Sequence, residues 1–200
     1  LNSLECKDEI RGELRLSAPG IMCDNVINDW IIEYTDRHPR ATVRLLSREA
    51  GSFSSDSPEF DDLVIKSGQL DSPDLIQRKL NPVPFGMYAS PEYLRKNGEP
   101  IRPEDLSGHS LLRLSHYSLR NPVAFRTGET VIPISINSEE EFYSNSIQSL
   151  LHMTLHDRGI CLAVPCWVIG HYEFDQRLCR VLPDWELTPL PAFIVWRYRK

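Results

Sequence analysis

This sequence lacks several features that would indicate a membrane protein or a secreted protein. It has no run of about 18 apolar residues, the length that a membrane-spanning helix needs. Its first residue is Leu rather than Met, and its mixed-charge start has no apolar core and so does not resemble a signal peptide. We therefore expect no membrane contact, and we expect that an N-terminal part precedes this segment in the full protein.

Positive charge is also scarce. Lys and Arg number 22 against 28 Asp and Glu, which gives a formal net charge of -6. DNA-binding domains usually carry a basic surface. If the protein regulates DNA, we expect another part of it to make the contact.

Cysteine is present, but not in a pattern that indicates metal binding or disulfides. The five residues are an odd number with no zinc or redox spacing: Cys6, Cys23, Cys161, Cys166 and Cys179. This pattern favours reduced thiols packed as small apolar side chains, and hence a cytoplasmic location. Cys161 has an alternative interpretation as an oxidant-sensing thiol, which would require a lowered pKa.

Recognisable catalytic motifs are absent as well. We find no Gly-x-Ser-x-Gly turn and no phosphate loop, so we expect neither enzymatic activity nor a cofactor. His152 and His156 are four residues apart on a predicted helix, a spacing that can chelate a metal. No third ligand is evident, so we expect surface histidines and no metal site.

The apolar pattern predicts an α/β fold. Glu13–Ala18 alternates like a half-buried strand. An amphipathic helix is predicted next, because apolar residues recur at helical spacing at Met22, Val26, Ile27, Trp30, Ile31 and Tyr34. Strands and helices continue to alternate along the chain, which favours βαβ units and a largely parallel sheet.

Ligands of open α/β sheets bind beyond the carboxyl ends of the strands, where helices begin. In the first unit of the pattern these positions are Pro19, Gly20, Ile21, Met22, Ser47, Arg48, Lys66 and Ser67. A helix start offers free N–H groups and the positive end of a dipole, which suit an anion. Arg48 and Lys66 are equally well interpreted as partners of an anionic effector or as solvated surface charges. Ser144, Asn145 and Ser146 open a second helix, either as a plain N-cap or as further ligand contacts.

Six segments occur in the order found in the effector-binding domain of LysR-type transcriptional regulators. They are residues 12–19 (GELRLSAP), 34–45, 61–68 (DDLVIKSG), 89–109, 158–165 (RGICLAVP) and 178–185 (LCRVLPDW). The chain resembles this domain from Gly12 to Arg199. It departs from the family pattern at Asp157, where Gly is common, and at Val123, where Trp is frequent.

The resemblance implies a periplasmic-binding-protein-like (type II) fold, in which two α/β lobes are joined by two crossover segments. Residues 1–11 would be a linker remnant, residues 12–88 with 190–200 lobe I, and residues 89–189 lobe II. A small-molecule effector would bind between the lobes, contacted by the residues named above. The resemblance also implies a homodimer, a tetramer at full length, and a separate N-terminal domain that binds DNA.

Two other functions remain open at this stage. One is a transport-type solute-binding protein with the same fold, and the other is a thiol-sensing regulator that uses Cys161. The sequence does not identify the effector.

Overall fold

A computed structural model describes residues 10–49, 61–68, 71–115, 119, 121–174 and 176–198. The predicted linker lies almost wholly outside these residues, and the Ser-rich loop at 50–58 and His116 lie entirely outside them. The strands are β1 Gly12–Ala18, β2 Ala41–Ser47, β3 Leu63–Ser67, β4 Leu75–Lys79, β5 Phe85–Ala89, β6 Leu111–Leu114, β7 Val123–Thr127, β8 Thr130–Ile134, β9 Glu141–Ser144, β10 Ile160–Pro165, β11 Cys179–Val181, β12 Glu186–Leu187 and β13 Ala192–Arg197. The α-helices are α1 Gly20–Met22, α2 Asn28–Arg37, α3 Pro91–Asn97, α4 Ile147–Leu155 and α5 Cys166–Phe174, with a π-helical segment at Cys23–Ile27 and a 3-10 segment at Pro103–Gly108.

The described chain forms two compact units. It leaves the first unit after Leu80 and returns to it at Ala192, and the residues between, Asn81–Pro191, form the second unit. Two α/β units joined by two crossings agree with the predicted fold class. The exact lobe limits named from the resemblance remain predictions.

The first unit is built on a five-stranded sheet in the order β2-β1-β3-β13-β4. Strand β1 runs parallel to β2 and β3, whereas β13 runs antiparallel to β3 and β4. The prediction of a largely parallel sheet is therefore correct for the first three strands only. The antiparallel strand is β13, which re-enters this sheet from the second unit and lies between β3 and β4.

One continuous helical stretch, α1 followed by the π segment and α2, packs on the first sheet. Its buried side chains include Cys23 and Ile27, which lie against Leu16, Ala18 and Ile65. Trp30 was predicted on the same apolar face, but it is 48% exposed. A π-helical turn contains more residues than an α-helical turn, so the residues after it rotate away from the face that an ideal α-helix predicts.

The second unit contains a five-stranded sheet, β11-β5-β10-β6-β9, and a three-stranded sheet, β12-β7-β8. Strand β10 pairs parallel with β6 and antiparallel with β5. The core of the second unit joins both sheets and includes Phe125. The Phe125 ring meets the Trp185 ring edge to face, with centroids 6.3 Å apart. The unit therefore has a hydrophobic core of its own.

Candidate functional site

The strand ends predicted as a ligand site meet at one edge of the first sheet. Strands β1, β2 and β3 run parallel, so their carboxyl ends share that edge. Ala18 is in register with Ser47. The Arg48 amide donates to the Ala18 carbonyl at 2.8 Å, which extends the pairing beyond the last strand residues. The structure thus brings the Pro19–Met22 turn next to Ser47 and Arg48, as the sequence predicted.

The turn after β1 starts a helix whose first N–H group points at a carboxylate. Pro19 has φ -55° and ψ 139°, and its carbonyl accepts from the amides of Met22 at 2.9 Å and Cys23 at 3.1 Å. The Gly20 amide donates to Glu49 Oε1 at 3.1 Å. Ile21 is buried. The helix start therefore carries a bound negative charge, which its dipole favours.

Gly20 allows close packing at this turn. A Cβ atom there would lie 2.9 Å from Ser47 Oγ and 3.2 Å from Glu49 Oε1. Without a side chain, the backbone can approach both groups. Glu49 was not among the predicted site residues. Its position two residues beyond a strand end, on the edge where the helix begins, was the sequence signal that could have identified it.

Arg48 pairs with a carboxylate of its own unit. Its Nε lies 3.5 Å from Oδ2 of Asp61, and the Asp61 side chain is only 4% exposed. A buried carboxylate without a cation would be costly, so the pair neutralises Asp61. The structure places Arg48 in a structural ion pair, which is neither of the two interpretations left open for it, and a contact of Arg48 with the effector stays a prediction.

Lys66 lies on the other face of the sheet. Side chains alternate along a strand, and its neighbour Ile65 packs with the helix, so Lys66 lies on the opposite face. Lys66 is buried, its Nζ donates to the Gly68 carbonyl at 3.3 Å, and burial lowers the pKa of its ammonium group. By the same alternation, the Ser67 side chain lies on the helix-facing side of the sheet. The backbone of Ser67 pairs with Ala192 in the neighbouring strand. Ser17, on the Lys66 side, has a buried hydroxyl without a hydrogen bond.

The predicted residues of the second unit form a cap for α4. Ser144 ends β9, and its hydroxyl accepts from the Ser146 amide at 3.1 Å. The Ser146 hydroxyl accepts from the Ser149 amide at 3.3 Å, which makes Ser146 the N-cap of the helix. Asn145 is exposed between them. The helix begins at Ile147, three residues later than its predicted start.

The thiol of Cys161 is fully buried in strand β10. Burial raises its pKa to about 12, and a hydrogen bond with Thr154 lowers the pKa by less. Oxidant sensing requires a thiolate that solvent can reach. Both properties therefore disfavour the redox alternative for this residue.

A polar recess in the second unit was not predicted. His109 lines this recess and is buried. Its Nδ1 lies 3.3 Å from the hydroxyl of Tyr93. The same hydroxyl accepts a hydrogen bond from the Ser110 amide at 3.0 Å. Burial lowers the pKa of His109, and the nearby Asp105 carboxylate offsets part of that effect. These bonds connect the 3-10 segment to α3, so the polar groups of the recess already serve the packing of the unit.

The described part of the chain contains no candidate for a membrane span or for a metal cluster. No helix in it is long and apolar enough to cross a membrane. No group of three or more His, Cys, Asp or Glu side chains in it is arranged to hold a metal ion.

Comparison with known proteins gives consistent matches along the chain. The family model described as "LysR substrate binding domain" matches residues 7–200. The chain is 37% identical over 201 residues to the probable HTH-type transcriptional regulator SinR of Salmonella typhimurium, and covers 64% of that protein. It is 27% identical to the HTH-type transcriptional activator AaeR of Escherichia coli, over 92% of this chain and 58% of AaeR. The chain thus spans less than two thirds of these relatives.

Solved structures match the fold. The full-length Vibrio cholerae virulence activator AphB aligns with a TM-score of 0.77 at 22% identity, over 94% of this chain and 62% of AphB. The regulatory domain of CrgA from Neisseria meningitidis also gives a TM-score of 0.77 at 23% identity, over 94% of this chain and 90% of that domain. At these identities the likeness establishes the fold alone.

Proposed function

This chain belongs to the LysR substrate binding domain family, and from that premise we propose that it senses a carboxylate-bearing small molecule for a transcriptional regulator. The resemblance found in the sequence is confirmed by the family match, as is the ligand-sensing role at the level of the family. The proposal that goes beyond the family concerns the charge of the effector and the residues of this chain that contact it. The sheet edge at Gly20 is the part of the chain that supports it best.

One contact carries the proposal. The Gly20 amide donates to the Glu49 carboxylate at 3.1 Å at the start of a continuous helical stretch. An N–H group that already accommodates a carboxylate there is suited to the carboxylate of a ligand. We propose that the effector's carboxylate takes the place of Glu49, whose side chain then turns away.

The neighbouring charges are compatible with an anionic ligand. The Arg48–Asp61 pair is neutral as a unit, so the Asp61 carboxylate does not add an uncompensated negative charge. Once Glu49 has turned away, the helix dipole favours an anionic ligand there, whereas the Asp24 carboxylate in the same helical stretch opposes it. Ser47, whose hydroxyl approaches Gly20 most closely, is proposed as a further hydrogen-bonding group. Whether Ser144, Asn145 and Ser146 also touch the effector stays a prediction.

The remaining parts of the proposal concern the whole protein. The relatives carry helix-turn-helix names and extend well beyond the length of this chain. We propose that DNA is bound by an N-terminal domain outside this segment and that the protein works as a homodimer, or as a tetramer at full length. A regulator of bacterial genes would act in the cytoplasm, without catalysis of its own.

Binding to a panel of small carboxylates tests the effector proposal. Benzoate, acetate and succinate would be titrated calorimetrically into the wild-type chain and into Glu49→Gln, with benzamide, acetamide and succinamide as uncharged matches. We expect a carboxylate to bind where its amide does not. Glu49→Gln should bind it roughly two- to fivefold more tightly, because a carboxylate at a helix start contributes about 0.3–1 kcal/mol.

Glu129→Gln is the matched control, because it removes the same charge from an exposed hairpin turn of the second unit. It should leave the affinity unchanged. The proposal is wrong if no carboxylate binds either protein better than its amide. A weaker affinity in Glu49→Gln would instead make Glu49 a ligand-contacting residue.

A further inference from the structure

Two exposed histidines lie side by side where helix α4 ends. His152 is in the last turn and His156 follows the helix as its C-cap. Their ring centroids are 4.3 Å apart, with an angle of 39° between the ring planes. The i and i+4 spacing therefore brings both imidazoles together on one side of the helix, as it does for helical zinc ligands.

The hydrogen bond of His156 determines which tautomer its neutral ring adopts. Nδ1 of His156 lies 2.8 Å from the backbone carbonyl oxygen of His152. A carbonyl oxygen only accepts, so Nδ1 must carry the proton, and Nε2 of the neutral ring then keeps its lone pair. Histidines that bind metals commonly donate their second nitrogen to a carbonyl in this way, which fixes the tautomer and the direction of the ring.

The spacing of the rings suits a shared ion. With metal–nitrogen bonds of about 2.1 Å, two imidazoles on one ion have ring centroids roughly 4.5–5 Å apart. Small rotations about the side-chain bonds connect that geometry with the observed 4.3 Å. The carboxyl end of a helix is also the negative end of its dipole, which favours a cation.

We propose that His152 and His156 together bind one divalent transition-metal ion at the carboxyl end of α4. Imidazole nitrogens suit Ni²⁺, Zn²⁺ and Cu²⁺, and water would complete the coordination, because no third protein ligand is grouped with the pair among the described residues. The ion would link the last turn of the helix to its C-cap. The site is independent of the carboxylate site at Gly20.

Titration with Ni²⁺ tests the site, since thiolates compete more strongly for Zn²⁺ and copper. Calorimetry on the chain without a polyhistidine tag should give one saturable site. His152→Ala and His156→Ala should each weaken binding roughly tenfold or more, and the double variant should lose the site. His38→Gln, which removes a half-buried histidine of the first unit beside Tyr34, should bind like the wild type.

Circular dichroism and thermal unfolding without metal distinguish loss of the metal site from loss of the fold. Because both histidines are exposed, the variants should match the wild type in these two measurements. Added Ni²⁺ should raise the melting temperature of the wild type and not that of the double variant. Affinity should fall in acid, because protonated imidazole does not bind metals. The proposal is overturned if the wild type shows no saturable Ni²⁺ binding, or if the double variant binds as the wild type does.

Discussion

Gly159 shows how strictly a single residue can be determined by its surroundings. Its φ is 151°, and a Cβ atom there would lie 2.4 Å from the backbone oxygen of Ser110. The same oxygen accepts the Ile160 amide at 2.9 Å, at the point where β10 joins β6. The glycine therefore allows the close approach on which this strand pairing depends.

Gly159→Ala should lower the free energy of unfolding by about 2–4 kcal/mol, because it combines an unfavourable φ with a backbone clash. Urea denaturation measures the change. Gly170→Ala is the matched control: it lies in α5, open space surrounds the added methyl group, and Ala favours a helix. A loss below about 0.5 kcal/mol in Gly159→Ala would contradict this account of the packing.

Asp157 explains one departure from the family pattern. Its φ is 59°, a left-handed conformation in which glycine is common and Asp is tolerated. Its carboxylate also accepts a hydrogen bond from the Ser90 hydroxyl at 2.6 Å, which a glycine could not do. Asp in place of Gly therefore keeps the left-handed conformation after α4 and adds a hydrogen bond to the N-cap of α3.

Pairings between distant residues could not be predicted from the sequence. Arg48 had open interpretations because its partner, Asp61, lies farther along the chain and is brought close by the fold. For Lys66 the carbonyl partner at Gly68 is local, and its burial is what the fold determines. Glu49 was passed over for the same reason as Arg48. The strand-end rule selects the edge of the sheet at which β1, β2 and β3 end, but it does not specify which side chain reaches the helix start.

At the scale of elements, the start of α4 is determined by a serine cap. Ser146 supplies the only side-chain cap described for this helix, through the Ser149 amide. Local capping rules predicted that the helix opens within Ser144, Asn145 and Ser146, without distinguishing Ser144 from Ser146. Ser144 ends β9 instead, because its carbonyl accepts the Ser115 amide and its strand pairs with β6.

Ser146→Ala should cost about 1 kcal/mol of stability by leaving the Ser149 amide without its acceptor. The measurement is chemical denaturation followed by circular dichroism. Ser149→Ala makes the same chemical change on the same helix without removing the cap, and it should be neutral or slightly stabilising. Equal losses in the two variants would show that the cap contributes nothing.

Elements with a clear period or clear boundary residues were predicted, and the others were not. The limits of helix α3 are marked in the sequence by a serine N-cap, a proline at the first position and a glycine stop, at Ser90, Pro91 and Gly98. Helix α5 was missed because its apolar residues are consecutive rather than on one face, and because Pro165 indicated a stop. The short strands β9 and β12 depend on partners that lie far away in the sequence.

At the scale of the whole molecule, the ordered motifs identified the family and the fold class, but not the ligand. The chain divides into two units with their own sheets, as the resemblance implied. Composition does not indicate that a glutamate occupies the helix start; its place two residues beyond the end of β2 was the one local signal for it. The central proposal, a carboxylate site at Gly20, depends on that contact.

The most direct test is to follow the amide resonances of the chain while a binding carboxylate from the panel is added. Proton–nitrogen correlation spectra report every amide at once. We predict a saturable shift of the Gly20 amide, absent with the matched amide compound, with the same apparent affinity as in calorimetry. A carboxylate that binds while the Gly20 resonance and those of its neighbours stay in place would contradict the proposal.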